Sequence, residues 1–265
     1  MTTTSTSHWA LVLGASSGFG GATALELARG GFNVFGLHLD TRATLPNAQA
    51  VQQSIQATGR KAVFFNTNAA DPDRRAAVLD KMAPHLSEGA FVRVLMHSLA
   101  FGTLKPFAVE PPEEGVTQKQ MDMTLDVMAN SLVYWTQDLL GRGFLRKGSR
   151  IFAMTSAGST RVWPTYGPVS AAKAALESHV RQLAFELAPK GITVNAIRAG
   201  VTDTPALRKI PGSDKLLEGA LARNPSRRLT VPQDVAQAIA VLSDERTHWI
   251  TGNVIGVDGG EDVVG

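Results

Sequence analysis

The sequence contains no cysteine, which excludes disulfides, thiolate-bound zinc and a cysteine nucleophile. Its six histidines are scattered without metal-ligand spacing, so no metal is expected. The net charge is only +3 and the basic residues are spread along the chain, so no nucleic-acid partner is expected. No run approaches the ~18–20 apolar residues that a membrane span needs, and residues 1–7 lack the features of a secretion signal. We therefore expect a soluble, cytoplasmic protein with no membrane partner.

Apolar runs alternate with helical patterns along the whole chain. Continuous apolar runs predict strands buried on both faces, and strand–helix alternation at this spacing predicts a parallel sheet. The fold expected for residues 1–265 is one α/β domain, a doubly wound Rossmann fold with a seven-stranded parallel sheet and helices on both faces. The strands are predicted at 9–13, 33–38, 62–66, 91–96, 150–155, 192–197 and 253–257. The main helices are predicted at 22–28, 47–58, 71–85, 120–140, 169–187 and 232–242.

A glycine-rich loop follows the first predicted strand. Gly14, Gly18 and Gly20 let the backbone turn sharply and approach a pyrophosphate, and the helix that begins there directs free N–H groups at the anion. Three glycines alone are a weak signal, because a tight strand-to-helix turn also needs them. Their place between a strand and a helix favours dinucleotide binding.

The end of the second predicted strand bears on the choice of cofactor. An acidic residue there selects NAD, but the expected position holds His38, with Arg42 beyond it. Either cation would accept a 2′-phosphate, whereas Asp40 would resist one if it pointed inward. We expect NADP(H) to be favoured, with NAD(H) as the alternative. Asn68 either contacts the adenine or forms a turn.

Tyr166 and Lys173 are the strongest catalytic candidates. They lie seven residues apart, Ser156 lies seventeen residues before the lysine, and Tyr134, the other tyrosine, falls in an apolar helical stretch. A nearby ammonium depresses a phenol's pKa from about 10 and lets it act as an acid closer to neutral pH. Together with the glycine loop, this pair predicts a reductase.

These motifs resemble the short-chain dehydrogenase/reductase family over essentially the whole chain. The resemblance rests on Gly14–Gly20, Ser156, Tyr166, Lys173, the segment from Gly200 to Thr204, and residues 250–260. In ordinary members the tyrosine precedes the lysine by four residues, and that position here is Val169. The Tyr-x6-Lys spacing and the sequence 96–102 resemble the divergent enoyl-acyl carrier protein reductases of fatty-acid synthesis. The Gly14–Gly20 loop and the segment from Gly200 to Thr204 resemble the NADPH-using subgroup of that branch.

The resemblance implies reduction of an enoyl thioester. Hydride would reach the β-carbon while Tyr166 stabilises the distant thioester oxygen and Lys173 holds the nicotinamide ribose. Ser156 either touches the acyl carbonyl or ends a strand, and Thr204 either bonds the carboxamide or caps a helix. Ordinary members carry an asparagine where Met128 stands, and Asn130 is expected only to pack. The implied cofactor contacts are Gly14, Ser16, Ser17, Gly18, Phe19, Gly20, His38, Arg42, Asn68, His97, Ser98, Lys173, Gly200, Thr202 and Thr204.

The segment of about residues 203–228 is expected to form a lid over the site. Leu216, Leu217 and Leu221 would line an acyl tunnel. An acyl carrier protein with an acidic helix would dock on basic residues of the same region, although a solvated loop is the simpler interpretation. These basic residues are Arg208, Lys209, Lys215, Arg223, Arg227 and Arg228. We expect a homotetramer built on two-fold contacts, with a dimer as the second choice.

Two other functions stay open. One is a carbonyl reductase, such as a 3-oxoacyl-acyl carrier protein reductase, with an unusual tyrosine. The other is a non-catalytic dinucleotide sensor on the same fold, which would not need a tyrosine and a lysine at productive spacing.

Overall fold

A computed structural model describes residues 8–264 and confirms the predicted parallel sheet, with strand order β3-β2-β1-β4-β5-β6-β7. The strands are β1 His8–Leu13, β2 Asn33–His38, β3 Ala62–Asn66, β4 Phe91–His97, β5 Arg150–Ser156, β6 Thr193–Ala199 and β7 Val254–Val257. The helices are α1 Gly18–Arg29, α2 Leu45–Ala57, α3 Pro72–Met82, α4 Gln118–Leu125, α5 Ser131–Gly141, α6 Gly167–Leu187, α7 Ser213–Arg223 and α8 Pro232–Leu242.

Two apolar layers enclose the sheet, one on each face. Along β1, Trp9, Leu11 and Leu13 point into the layer formed with α3, α5 and α6, while Ala10 and Val12 point into the layer formed with α1 and α8. All five side chains are buried. The two-residue alternation of a strand therefore fills both layers, which is why β1 is apolar from Trp9 to Leu13.

The carboxyl ends of the central strands meet at one edge of the sheet. Leu13 pairs with Leu37 in β2 and with His97 in β4, and Ser156 in β5 pairs with Ala199 in β6. The chain turns in opposite directions from β1 to its two neighbours, which opens a crevice above this edge. The loops that follow these strands therefore begin at the same edge of the sheet.

The helix predicted over 120–140 is present, as an unbroken helical stretch from Gln118 to Gly141, but it is not α-helical throughout. A π-helical segment, Asp126–Asn130, separates α4 from α5. The wider turn changes which residues face the sheet on either side of it, and apolar periodicity does not report such a change. Smaller differences concern helix starts: α1 begins at Gly18 rather than 22, and α6 begins at Gly167, with Pro168 in its first turn.

No helix within residues 8–264 is long and apolar enough to cross a membrane. The polar segment of residues 1–7, interpreted above as lacking the features of a secretion signal, lies outside the described residues.

Candidate active site

The glycine loop forms a cradle that only backbone can occupy. A Cβ added to Gly14 would lie 2.4 Å from the Ser98 carbonyl oxygen, and one added to Gly20 would lie 2.0 Å from the Gly14 carbonyl oxygen. Gly14 also has φ of +92°, a conformation that side chains disfavour. Helix α1 starts from this cradle, and Ser17 precedes it without a side-chain cap, so the first N–H groups stay available for an anion. The local geometry fits a dinucleotide pyrophosphate.

The other predicted residues of the loop take different positions. Ser16 is half-buried and Ser17 is exposed, whereas Phe19 packs against the apolar layer between α1 and α8. Gly18 comes close to the end of β6, because a Cβ added to it would lie 3.6 Å from Thr204 Cγ2. The structure therefore brings the glycine loop, Ser98 and Thr204 together.

At the end of β2, His38, which would favour a 2′-phosphate, contacts Asp40, which would disfavour one. His38 Nδ1 lies 2.8 Å from Asp40 Oδ2, and their side chains are only 4% and 9% exposed. Arg42 is exposed a short distance along the chain. Asn68 is exposed too, and its Oδ1 accepts a hydrogen bond from the Ala70 N–H, which is the turn-forming role weighed above.

The end of β4 carries a histidine with no access to the crevice. The His97 side chain is 0% exposed, and its Nε2 lies 2.8 Å from Ser131 Oγ. Since Ser131 Oγ donates to the Val127 carbonyl, the imidazole donates to Ser131 and leaves Nδ1 without a proton or partner among the described residues. Burial and the nearby Lys173 lower the pKa of His97 to about 3. The imidazole is neutral and would touch a cofactor only through its neighbours.

The π-helical segment contains Met128 and ends at Asn130. Met128 is buried in an apolar cluster with Val169 and Ala172. Asn130, expected only to pack, instead has its Oδ1 3.1 Å from His179 Nε2 on α6. The amide is thus bound to a histidine on the neighbouring helix.

The segment after β6 is tied by its own hydroxyl groups. Thr202 Oγ1 donates to the Gly200 carbonyl at 2.9 Å, and Thr204 Oγ1 accepts from the Leu207 N–H at 3.2 Å. The latter is the helix-cap role weighed for Thr204. Gly200 has no room for a side chain, because a Cβ there would lie 2.3 Å from Thr230 Oγ1.

Tyr166 is the residue immediately before α6. Burial raises the pKa of its phenol, contrary to the lowering expected from a nearby ammonium, and the neighbouring Ser156 hydroxyl opposes that rise in part. The two hydroxyls do not meet the geometry of a hydrogen bond, and Ser156 Oγ is buried without a partner among the described residues. A Cβ added to Gly158 would lie 2.5 Å from Tyr166 Cε1 and 3.2 Å from Ser156 Oγ. The two predicted catalytic residues therefore lie side by side.

Lys173 lies inside α6 with its ammonium buried beneath the same crevice. Its Nζ donates to the Met154 carbonyl oxygen at 2.7 Å. Burial lowers the pKa of Lys173 to about 8, and Glu177, one turn further along, opposes the shift. Glu177 in turn accepts a hydrogen bond from Thr155 Oγ1.

The C-terminal tail contributes two acidic residues, Glu261 and Asp262, that lie outside the predicted motifs. Glu261 Oε2 accepts from the Val201 N–H at 3.0 Å, and burial raises the pKa of this carboxyl group. Asp262 pairs with Arg161, in the loop before Tyr166, and with Arg198 on β6. Only the folded chain brings these positions together, since they are sixty or more residues apart in sequence.

A Rossmann fold with a glycine cradle, a phenol and a buried ammonium at one crevice defines an NAD(P)-dependent oxidoreductase. A family model described as Enoyl-(Acyl carrier protein) reductase matches residues 14–261. The chain belongs to the short-chain dehydrogenase/reductase family.

Individual relatives are distant but cover nearly the full chain. A 1-cyclohexenylcarbonyl-CoA reductase from Streptomyces collinus is 29% identical over 256 residues, which is 96% of this chain and 86% of that protein. A 3-oxoacyl-[acyl-carrier-protein] reductase from Pseudomonas aeruginosa is also 29% identical, over 251 residues, which is 95% of this chain and 96% of that protein. A short chain dehydrogenase from Burkholderia cenocepacia, solved in complex with NADP, is 28% identical, with a TM-score of 0.80 and coverage of 96% and 97%.

We predict that Lys173 makes the free energy of unfolding depend on pH. Its pKa is about 8 in the folded protein against an ordinary 10.5, so the unfolded chain binds more protons between these values. Stability relative to Lys173→Met should therefore rise from pH 8 to 10.5, by up to about 3 kcal/mol at 1.36 kcal/mol per pKa unit. Urea unfolding of both proteins across this range measures the difference. Lys81→Met, at an exposed position on α3, is the control, and a pH-independent difference for Lys173 would contradict the prediction.

Proposed function

We propose that this protein reduces the carbon–carbon double bond of an enoyl thioester, carried on acyl carrier protein or coenzyme A. The observation that carries the proposal is the exchange of a phenol for an apolar side chain one turn before Lys173. Val169, at the usual tyrosine position, is 5% exposed and packs against Met128 and Ala172. The phenol of Tyr166 lies before the helix instead.

The chemistry of an enoyl thioester explains why this displacement matters. A ketone receives hydride and proton on two atoms that share one bond. An enoyl thioester receives hydride at the β-carbon, and negative charge gathers on the thioester oxygen several bonds away. The oxyanion donor must therefore reach further out.

Reduced nicotinamide, when bound, supplies the hydride for the β-carbon. Tyr166 donates a hydrogen bond to the oxygen of the resulting enolate, and the Lys173 ammonium adds positive potential behind it. The enolate then takes a proton, ultimately from water, at the α-carbon. The electrons balance, because the hydride pair becomes the new bond to hydrogen at the β-carbon and the π pair, held in the enolate, becomes the new bond to hydrogen at the α-carbon. The raised pKa of Tyr166 keeps the phenol protonated and able to donate.

The cofactor we propose is NADP(H). Asp40 is the residue that would select against a 2′-phosphate, but its carboxylate is 9% exposed and paired with His38. Arg42 is exposed nearby and has the charge to accept the phosphate. The Burkholderia relative binds NADP, which agrees with this choice.

The acyl chain has apolar surface available around the crevice. Phe101 and Phe107 are 57% and 60% exposed, and Phe107 lies against Gly167, the residue after Tyr166. On the lid, Leu216 and Leu217 are half-buried. Lys215, next to them on α7, is exposed and would meet an acidic carrier protein, whereas the exposed Arg208 is already paired with Asp203.

A carbonyl reductase is the second candidate, because the 3-oxoacyl reductase relative is as similar as the enoyl-thioester one. We predict that the protein oxidises NADPH at 340 nm with crotonyl thioesters and much more slowly with acetoacetyl thioesters. Running NADH in parallel tests the cofactor preference. Turnover of the ketone without the enoyl substrate would overturn the proposal in favour of the alternative.

We predict that Tyr166→Phe lowers kcat by about 10²–10³-fold, which is the effect of losing one oxyanion donor. NADPH affinity, followed by fluorescence titration, should stay within about twofold because the glycine cradle is intact. Tyr134→Phe, on α5, is the matched control and should keep its rate. Unchanged turnover in Tyr166→Phe would remove this residue from the mechanism.

We also propose a homotetramer in which the β7 side of the molecule contacts another copy. β7 is an edge strand, and Trp249 and Phe185, 88% and 77% exposed, line one groove beside it. Aromatic side chains exposed together beside an open strand edge are typical of an interface.

Light scattering should give four times the chain mass of 28.2 kDa. Trp249→Asp should shift it to a smaller species, because a charge would be buried in the contact. Leu39→Asp, a similarly exposed apolar position beyond β2, should not. A wild-type monomer would exclude this assembly.

A further inference from the structure

A tight turn links Tyr166 to a tryptophan three residues earlier. The Tyr166 N–H donates to the Trp163 carbonyl oxygen at 3.1 Å, closing the turn. Within it, Thr165 has φ of +63°, which is costly for a β-branched residue. The Thr165 hydroxyl is also buried without a partner among the described residues. A conformation of this kind persists only when its surroundings hold it.

The indole of Trp163 contacts the lid. Its Nε1–H donates to the Pro211 carbonyl oxygen at 3.1 Å. The ring also lies against Gly212, where an added Cβ would come within 3.4 Å of Trp163 Cζ2. Gly212 precedes α7 with φ of +76°, so it is suited both to the turn into the helix and to the close approach of the ring. The contact therefore joins the start of the lid helix to the turn that carries Tyr166.

The other end of the lid helix is tied elsewhere. Asn224, directly after α7, donates through Nδ2 to the Asp258 carbonyl at 2.8 Å. Arg223 lies 3.7 Å from Glu261, whose carboxylate accepts from the Val201 N–H. The C-terminal tail thus holds the end of α7, and the Trp163 contact holds its beginning. A movement of the beginning of the lid would be transmitted to the 163–166 turn.

We propose that Trp163 is a positioning residue that couples the lid to Tyr166. With the lid seated on the indole, the turn keeps its strained form and the phenol stays at the substrate. With the lid displaced, Thr165 relaxes and the phenol moves away. Closure over the acyl group and placement of the oxyanion donor then happen together, which restricts reduction to substrates that let the lid seat. This inference rests on the proposed role of Tyr166, whichever thioester is reduced.

The first test is independent of activity. Trp163→Phe keeps an aromatic ring against Gly212 and removes the N–H, while Trp163→Ala removes both. Trypsin sites lie on the lid itself at Arg208, Lys209 and Lys215, all of which are exposed. We expect cleavage there to be about 2- to 12-fold faster in Trp163→Phe, the range for loss of one hydrogen bond, and faster still in Trp163→Ala. Trp249→Phe, which keeps its aromatic ring, is the control and should be cleaved like the wild type.

The second test asks whether Trp163 acts through Tyr166, using whichever thioester the protein turns over. Trp163→Ala should lower kcat while NADPH affinity stays within about twofold. In the Tyr166→Phe background the same substitution should change kcat little, because the phenol that it positions is already absent. Equal cleavage of wild type and Trp163→Phe would overturn the coupling to the lid. Additive losses in the double variant would overturn the coupling to Tyr166. If Tyr166→Phe alone leaves kcat unchanged, the proposed function fails, while the cleavage result still reports on the lid contact.

Discussion

A buried ammonium controls the electrostatics of the crevice. Lys173 lies where its charge is poorly solvated, and its Nζ is held by the Met154 carbonyl oxygen at the end of β5. Burial lowers its pKa to about 8, and its positive charge helps to hold the pKa of His97 at about 3. A neutral His97 then donates to Ser131 just beyond the π-helical segment. Hydrogen bonds from Lys173 on α6 to β5 and from His97 on β4 to Ser131 on α5 thus help to hold both helices against the sheet.

Three separate segments converge around the phenol, and each is held by a different kind of contact. The loop before α6 is strained at Thr165 and anchored by the ion pair of Arg161 with Asp262. The segment after β6 is held by its own threonine hydroxyls and by Glu261. The lid contacts the first segment through an indole. Preorganisation of an oxyanion donor requires rigid support, and here part of that support comes from residues close to the C-terminus.

Local pattern was enough to predict the sheet and the core layers. Most strands from β1 to β6 are predominantly apolar and bounded by turn residues, although β4 and β6 also contain the buried polar residues Arg93 and Asn195, so no register or topology had to be known to find them. The π-helical segment was missed because Asp126–Asn130 keeps an apolar rhythm while changing its phase. The pairing of His38 with Asp40 was missed for another reason. Residue types show that both side chains lie at the end of the second strand, but not that they contact each other.

The sequence by itself determined the chemistry on offer: a glycine cradle after the first strand, one phenol placed outside the usual spacing, and a lysine inside a helix. These follow from residue identity and distance along the chain, which fix the helical phase of Tyr166 against Lys173. The tertiary structure alone decided which side chains are accessible and what holds them. Burial lowered the pKa of His97, the Asp40 carboxylate was buried against His38, and contacts between distant segments joined Trp163 to the lid and Asp262 to Arg161. Each depends on chain segments meeting in space, and desolvation and long-range contact have no counterpart in a local pattern.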